Sequence, residues 1–169
     1  MLRPIVKHGA HVLHQAAAPV TTFGPELDCL IDDMIATMYA APGIGLAAPQ
    51  LGVPLRVFVV DLSLGRRADD LHVLVNPEVM ERRGLQLEEE GCLSVPGFNA
   101  TVLRPNRVVL SGLDRRGGAC RIEGEGLLAR ALQHEIDHLD GILFLDRLRG
   151  IKRGQIVRQV RKLQRVGRW

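Results

Sequence analysis

Six consecutive residues, Gln133-His134-Glu135-Ile136-Asp137-His138, have the types and spacing to do chemistry. Histidines four apart share one face of a helix, which turns every ~3.6 residues. Two imidazoles on one face can grip a single metal ion. Glu135, beside the first histidine, reaches the open side of such an ion, where a carboxylate can handle a water proton. The H-E-x-x-H spacing is that of metal-dependent hydrolases. Three protein ligands with a free fourth position make a catalytic site, whereas four make a structural one, so the third ligand decides the chemistry.

One metalloprotease class extends the motif to H-E-x-x-H-x-x-G-x-x-H. Here Gly141 is in place, but Phe144 stands where the third histidine would be. Beyond His138 the only acids are Asp140 and Asp146, both too near and neither a glutamate. The third ligand therefore comes from upstream. Cys92 stands there in Glu88-Glu89-Glu90-Gly91-Cys92-Leu93-Ser94. A free cysteine is usually a small buried hydrophobe, and negative neighbours oppose a thiolate. A coordinated cation reverses that by deprotonating the thiol, and Gly91 allows an unusual backbone turn beside it. His8, His11, His14 and His72 are rivals for the same place on residue type alone.

The helix that presents the motif is expected from Gly126 to Leu139. Leu127, Leu128, Ala131, Leu132, Ile136 and Leu139 make it apolar nearly all round, the mark of a buried helix, and Gly141 is a natural stop. An earlier amphipathic helix is written in Leu27, Leu30, Ile31, Met34, Ile35 and Met38, at i, i+3, i+4, i+7, i+8 and i+11. Residues 1–20 read as irregular. Between the helices, Arg56–Val60, Leu71–Val75, Leu85–Glu89, Ala100–Leu103, Arg107–Leu113 and Arg121–Glu125 are short β-type runs. They are separated by turn residues, Asn76-Pro77 among them. The order predicts an α+β fold in which small antiparallel sheets pack around a central buried helix, not a βαβ series. Gly43 to Gln50 reads as a tight small-residue loop able to lie against a ligand. A last helix, about residues 150–166, should dock by Ile156, Val160 and Leu163.

The length suits one domain, 1–169, with a real core. No apolar run approaches the ~20 residues of a membrane span. Three cysteines, Cys29, Cys92 and Cys120, give no disulfide framework, and a cytoplasmic protein is expected. Residues 146–169 hold nine Lys and Arg against Asp146 alone, a charge of +8. Residues 1–145 hold the other thirteen basic and eighteen acidic residues, −5, within a total of +3. The basic tail is either a solvated helix face or a contact for a polyanion such as RNA.

Three stretches together, Gly43 to Gln50, Glu90 to Ser94 and Gln133 to His138, match G-x-G-L-A-A-x-Q, E-G-C-L-S and Q-H-E-x-D-H in order. In this the chain resembles the peptide deformylases over most of its length. The resemblance implies Cys92, His134 and His138 as metal ligands and Glu135 as the general acid and base. It also implies Gln50 and the Leu93 N–H as oxyanion donors, and Ile44, Gly45 and Arg130 as substrate contacts. Arg130 stands where apolar residues are common in the family, and its head is expected to snorkel to the rim. Glu90 and Arg104 are spaced to form an ion pair that fixes the Cys92 loop. The implied activity is removal of the formyl group from the N-terminal formylmethionine of new polypeptides, with ferrous iron, or zinc, nickel or cobalt in its place. The expected enzyme is a monomer acting on N-formylmethionyl nascent chains, with its basic tail on the ribosome and no membrane contact.

Overall fold

The computed structural model describes residues 1–169. Three helices, α1 (Pro25–Ala40), α2 (Gly126–Leu139) and α3 (Lys152–Arg165), accompany seven strands. The strands are β1 (Gly45–Ala47), β2 (Val57–Val60), β3 (His72–Arg83), β4 (Gln86–Gly91), β5 (Asn99–Arg104), β6 (Arg107–Leu113) and β7 (Ala119–Glu125). They form an antiparallel five-stranded sheet, β1-β2-β3-β6-β7, and a separate β4–β5 hairpin. The fold is α+β, with a C-terminal helix.

Strand alternation explains how the large sheet holds two helices. Successive side chains of a strand point to opposite faces. Val57 and Val59 of β2 therefore enter the core under α1, with Ile31, Met34 and Met38. Phe58 and Val60 enter the core under α2, with Leu132, Ile136 and Leu139. A strand covered on both faces needs an unbroken apolar run, and Val-Phe-Val-Val supplies it, buried throughout. α2 is buried without interruption from Ala129 to Leu139. Leu127, expected inside, is exposed, because it lies at the lip of the cavity described below. A third core gathers Leu13, Val95, Val102, Phe144, Ile156 and Val160, with the Cys92 side chain packed against it. It ties the N-terminal segment and α3 to the loop that carries the thiol.

Two local expectations change. Asn76-Pro77 does not end a strand, since β3 runs through it as a bulge, with Asn76 in the left-handed region (φ 49°) and a register shift between Val75 and Glu78. The Asn76 amide then clamps both the N–H and the carbonyl of Val20, at 2.8 and 2.9 Å, docking the irregular N-terminal chain. The Gly43–Gln50 stretch is not simply a loop either. Gly45–Ala47 pair with β2, and Ala48–Leu51 form a 3₁₀ turn. Gly141 does stop α2. It takes φ 74°, and a Cβ there would lie 2.7 Å from the backbone of Gln15.

Asp61, just beyond β2, anchors the end of α1. It is fully buried and accepts from the Tyr39 hydroxyl at 2.6 Å, the Ser63 N–H and hydroxyl at 2.7 Å each, and the Gly65 N–H at 2.9 Å. Burial alone would raise its pKa, but these donors outweigh it and hold the carboxyl below its usual range. Burial and the Asp61 charge push Tyr39 up to about 12. A depressed folded-state pKa gives stability that is present above the unfolded value of ~3.9 and lost as pH falls through the folded one. Tyr39→Phe removes a hydrogen bond to a charged group and should cost ~1.5–3 kcal/mol in urea unfolding at pH 7. The deficit should shrink as pH falls through the folded-state pKa of Asp61, and a deficit that stays constant down to acid unfolding would contradict the Asp61 assignment.

Candidate metal centre

Helical spacing brings the His134 and His138 rings together, with centroids 4.9 Å apart. Their Nε2 atoms lie 3.2 Å apart, and Cys92 Sγ is 3.3 Å from His138 Nε2. All three donor atoms fall within 4.8 Å of one another, and these three residues are the one such ligand cluster of the chain. His8, His11, His14 and His72 lie outside it. The separations suit an ion. Tetrahedral bonds of ~2.1 Å to nitrogen and ~2.3 Å to sulfur require donors roughly 3.4–3.6 Å apart. Phe144, at the position of the missing third histidine, stacks on His134 instead (6.5 Å, 26°).

The His134 ring is aimed by its outer nitrogen. His134 Nδ1 lies 2.5 Å from Glu90 Oε1. An ionised carboxylate only accepts, so Nδ1 carries the proton and the Nε2 lone pair faces the cluster. Glu90 is buried, and burial alone would raise its pKa. Arg104 and His134 outweigh that and hold it far below the carboxylate range. Arg104 grips both Glu90 oxygens (2.6 and 2.9 Å) and reaches Asp137 Oδ2 at 2.8 Å. The structure thus brings Glu90 and Arg104 together under cover. The register explains how: in the β4–β5 hairpin, positions 90 and 104 lie on the same, inner face.

Arg130 departs from expectation. Its guanidinium does not reach the rim but lies buried beside the cavity. It donates to Glu90 Oε2 at 2.7 Å, the Val102 carbonyl at 2.9 Å and Gln86 Oε1 at 3.1 Å. A second buried cation compensates Glu90, which is cheaper than leaving either charge unpaired. Of the three glutamates before Cys92, only Glu90 is buried. Glu88 and Glu89 are solvent-exposed, and Glu90 is neutralised.

A cavity of about 450 Å³ opens over the cluster, lined by Ile44, Gly45, Gln50, Leu93, Arg130 and Glu135 among others. The Gln50 carbonyl oxygen accepts from the Ala47 N–H at 2.9 Å, which turns its NH2 toward Ser94 Oγ (3.1 Å) and Cys92 Sγ (3.7 Å). The Leu93 N–H has no acceptor within the protein. Glu135 is buried, its Oε2 has no protein partner, and burial pushes its pKa up to about 7. β1 passes so close that a Cβ on Gly45 would lie 2.9 Å from the Glu135 carboxyl carbon. Sequence reasoning missed Asp137 and Ser94 as partners. Both sit inside the motifs, but only the tertiary contacts give them work. Arg104→Met should cost ~3–5 kcal/mol, because Glu90 and Asp137 would stay buried with a cation removed. It should also weaken metal retention on dialysis, and unchanged values for both would refute the pairing.

The model of the polypeptide deformylase family matches residues 2–154. The chain is 50% identical to the peptide deformylase of Acidobacterium capsulatum over 169 residues, covering all of this chain and 99% of the relative. It is 52% identical to that of Thermodesulfovibrio yellowstonii over 149 residues, 88% of this chain and 90% of the relative. Its fold superposes on the crystal structure of a peptide deformylase from Legionella pneumophila with a TM-score of 0.92 at 46% identity, covering 99% and 98% of the two chains. The Thermus thermophilus enzyme gives 0.87 at 42%, covering 95% and 94%. The chain therefore belongs to the peptide deformylase family, metal-dependent hydrolases that remove the formyl group from the N-terminal formylmethionine of nascent polypeptides and release formate.

Proposed function

We propose that Cys92 Sγ and the Nε2 atoms of His134 and His138 hold the metal for this reaction, with Glu135 as the proton carrier. The observation that carries this reading is the convergence of the three donor atoms beneath a cavity that also holds a protonatable, partnerless carboxylate. One thiolate and two imidazoles suit iron, zinc, nickel and cobalt alike. Ferrous iron is taken as the native ion on the resemblance. When bound, the ion supplies Lewis acidity, making water a nucleophile near neutral pH.

The chain's own residues do the rest. Glu135 takes the proton from the attacking water and passes it to the leaving nitrogen, so that formamide and water become formate and a free amine. Burial tunes it for that task, because a group that ionises near the working pH both accepts and returns a proton. Gln50 Nε2 and the Leu93 N–H bind the oxygen on which charge develops, and losing one such donor typically costs ~3–4 kcal/mol of barrier. Ile44 and Gly45 bound the substrate cleft. Arg130 contributes its stem to the wall while its charge is spent on Glu90. Glu90 and Arg104 hold the His134 ring and the Cys92 loop.

We assign the whole of 1–169 to one catalytic domain, because its third core joins residues from Leu13 to Val160. All the site residues come from a single chain, which supports action as a monomer. The cytoplasm is the proposed location, since formylated nascent chains are the substrate. No helix is long and apolar enough to cross a membrane. α3 supports ribosome contact. It docks by Ile156 and Val160, leaving Arg158, Arg161, Lys162 and Arg165 exposed, and such a charge set favours a polyanion.

Glu135→Ala should retain bound metal, by elemental analysis of anaerobically purified protein, yet lose formate release from formyl-Met-Ala-Ser by ~10²-fold or more. Full activity with metal bound would refute the mechanism. Replacing Arg158, Arg161, Lys162 and Arg165 with Gln should weaken ribosome co-sedimentation at low salt and spare hydrolysis of the short peptide. Equal sedimentation of both proteins would remove the proposed role of the tail. Deletion after Gly150 should also weaken ribosome binding. It strips Ile156 and Val160 from the third core as well, so the charge variant is the cleaner comparison.

A further inference from the structure

Asp137 lies between the two histidines on α2 and takes no part in the mechanism above, yet it is a buried charge. Both of its oxygens accept from Arg147, through Nε and Nη2. Its Oδ2 also accepts from Arg104, whereas Oδ1 has no donor besides Arg147. Arg104 in turn holds Glu90, and Glu90 holds His134 Nδ1. Charges therefore alternate from the surface inward: Arg147, Asp137, Arg104, Glu90, then the imidazole. The Arg147 side chain is 41% exposed. It lies at a separate cavity of about 270 Å³ behind α2, also lined by Arg82 and Gln133.

We propose that Arg147 is a positioning residue for the metal site, acting on the His134 ring through Asp137, Arg104 and Glu90. Two observations on different atoms carry this. The first is the chain of hydrogen bonds. With Arg147 absent, Arg104, which holds Glu90 together with Arg130, is left as the sole side-chain partner of Asp137. It is drawn toward Asp137, and its grip on Glu90, hence the aim of His134 Nε2, loosens. The second is the 3₁₀ turn Phe144–Arg147. The same four residues place the Phe144 ring against His134 at one end and the Arg147 fork on Asp137 at the other. A shift of this turn moves both supports of the ring together. Arginine suits the role because its planar fork meets a carboxylate with two parallel bonds, and a lysine cannot do so.

This rests on Cys92, His134 and His138 being the ligands, and the experiment separates the two ideas. Full-length wild type, Arg147→Ala, Arg147→Lys, Arg147→Gln and His134→Ala are stripped of metal. Zn2+ affinity is then measured by competition with a chromophoric chelator, and absorption spectra are recorded with Co2+. Removing a group that holds a ligand directly typically costs 10–100-fold in affinity. Arg147 acts from further out, so Arg147→Ala should lose about 3–10-fold and show a shifted Co2+ spectrum. Arg147→Lys should recover part of the loss. With a short formyl-Met peptide, kcat should fall while KM holds. Wild-type zinc affinity and an unchanged Co2+ spectrum in Arg147→Ala, even with a lower melting temperature, would overturn the proposal. If Arg147→Ala does not fold, Arg147→Gln, which keeps hydrogen bonding without the charge, makes the same comparison. His134→Ala binding zinc as tightly as wild type would instead overturn the ligand assignment, and this proposal with it.

Discussion

The structure depends on one buried carboxylate. Glu90 accepts from Arg104 on both oxygens, from Arg130 on one and from His134 Nδ1 on the other. A lone carboxylate in such a place would cost far more than folding could bear, and it would take up a proton instead. Surrounded by two guanidinium groups it stays ionised, and only an ionised Glu90 fixes the His134 tautomer that points Nε2 inward. Removing any one member leaves the others buried with unbalanced charge, so the cluster stands or falls as a unit. Stability and catalysis are coupled at this point, because the residues that neutralise Glu90 are also those that aim a ligand.

The rest of the architecture brings the members of this cluster to one place. β4 and β5 carry Glu90 and Arg104 on the inner face of a hairpin. α2 carries Arg130, His134, Asp137 and His138. The five-stranded sheet covers α2 through Phe58, Val60 and Leu110, while β1 delivers Gly45 against Glu135 and leads into the turn that holds Gln50. Arg56 bonds the Leu139 carbonyl at 3.1 Å at the C-terminal end of α2, where a cation complements the helix dipole. A dry, rigid frame suits the chemistry, since fixed donors aimed at developing charge need no reorganisation when the reaction occurs.

Much of this is legible in the sequence, and the exceptions share a cause. The 3.6-residue spacing puts His134 and His138 on one face, and the apolar surround of α2 announces its burial. The strand runs are readable from β-branched alternation. β3 reads too short because Asn76-Pro77 resembles a turn, whereas a bulge absorbs it and the Asn76 amide finds Val20 across the fold. β1 is hidden because three residues, Gly45-Leu46-Ala47, are too few to show a pattern of their own, and pairing with β2 makes them a strand. Arg130 is expected at the rim because a solitary arginine on an apolar helix usually snorkels. Nothing near it in sequence shows that Glu90 and the Val102 carbonyl lie within reach.

What neighbours along the chain settle is the set of donors and their local geometry: two imidazoles and a carboxylate on one helical face, a cysteine after a glycine, a glutamine closing a small-residue stretch. Helical period and residue chemistry are local properties, so a short window of sequence suffices to read them. Folding in three dimensions alone brings the Cys92 sulfur, and none of four other histidines, to the paired rings. It alone shares Glu90 among three partners and stacks the Phe144 ring on His134. The sulfur's approach to His138 and the bond between Glu90 and His134 join residues 46 and 44 positions apart, and such distances are set by sheet register and core packing.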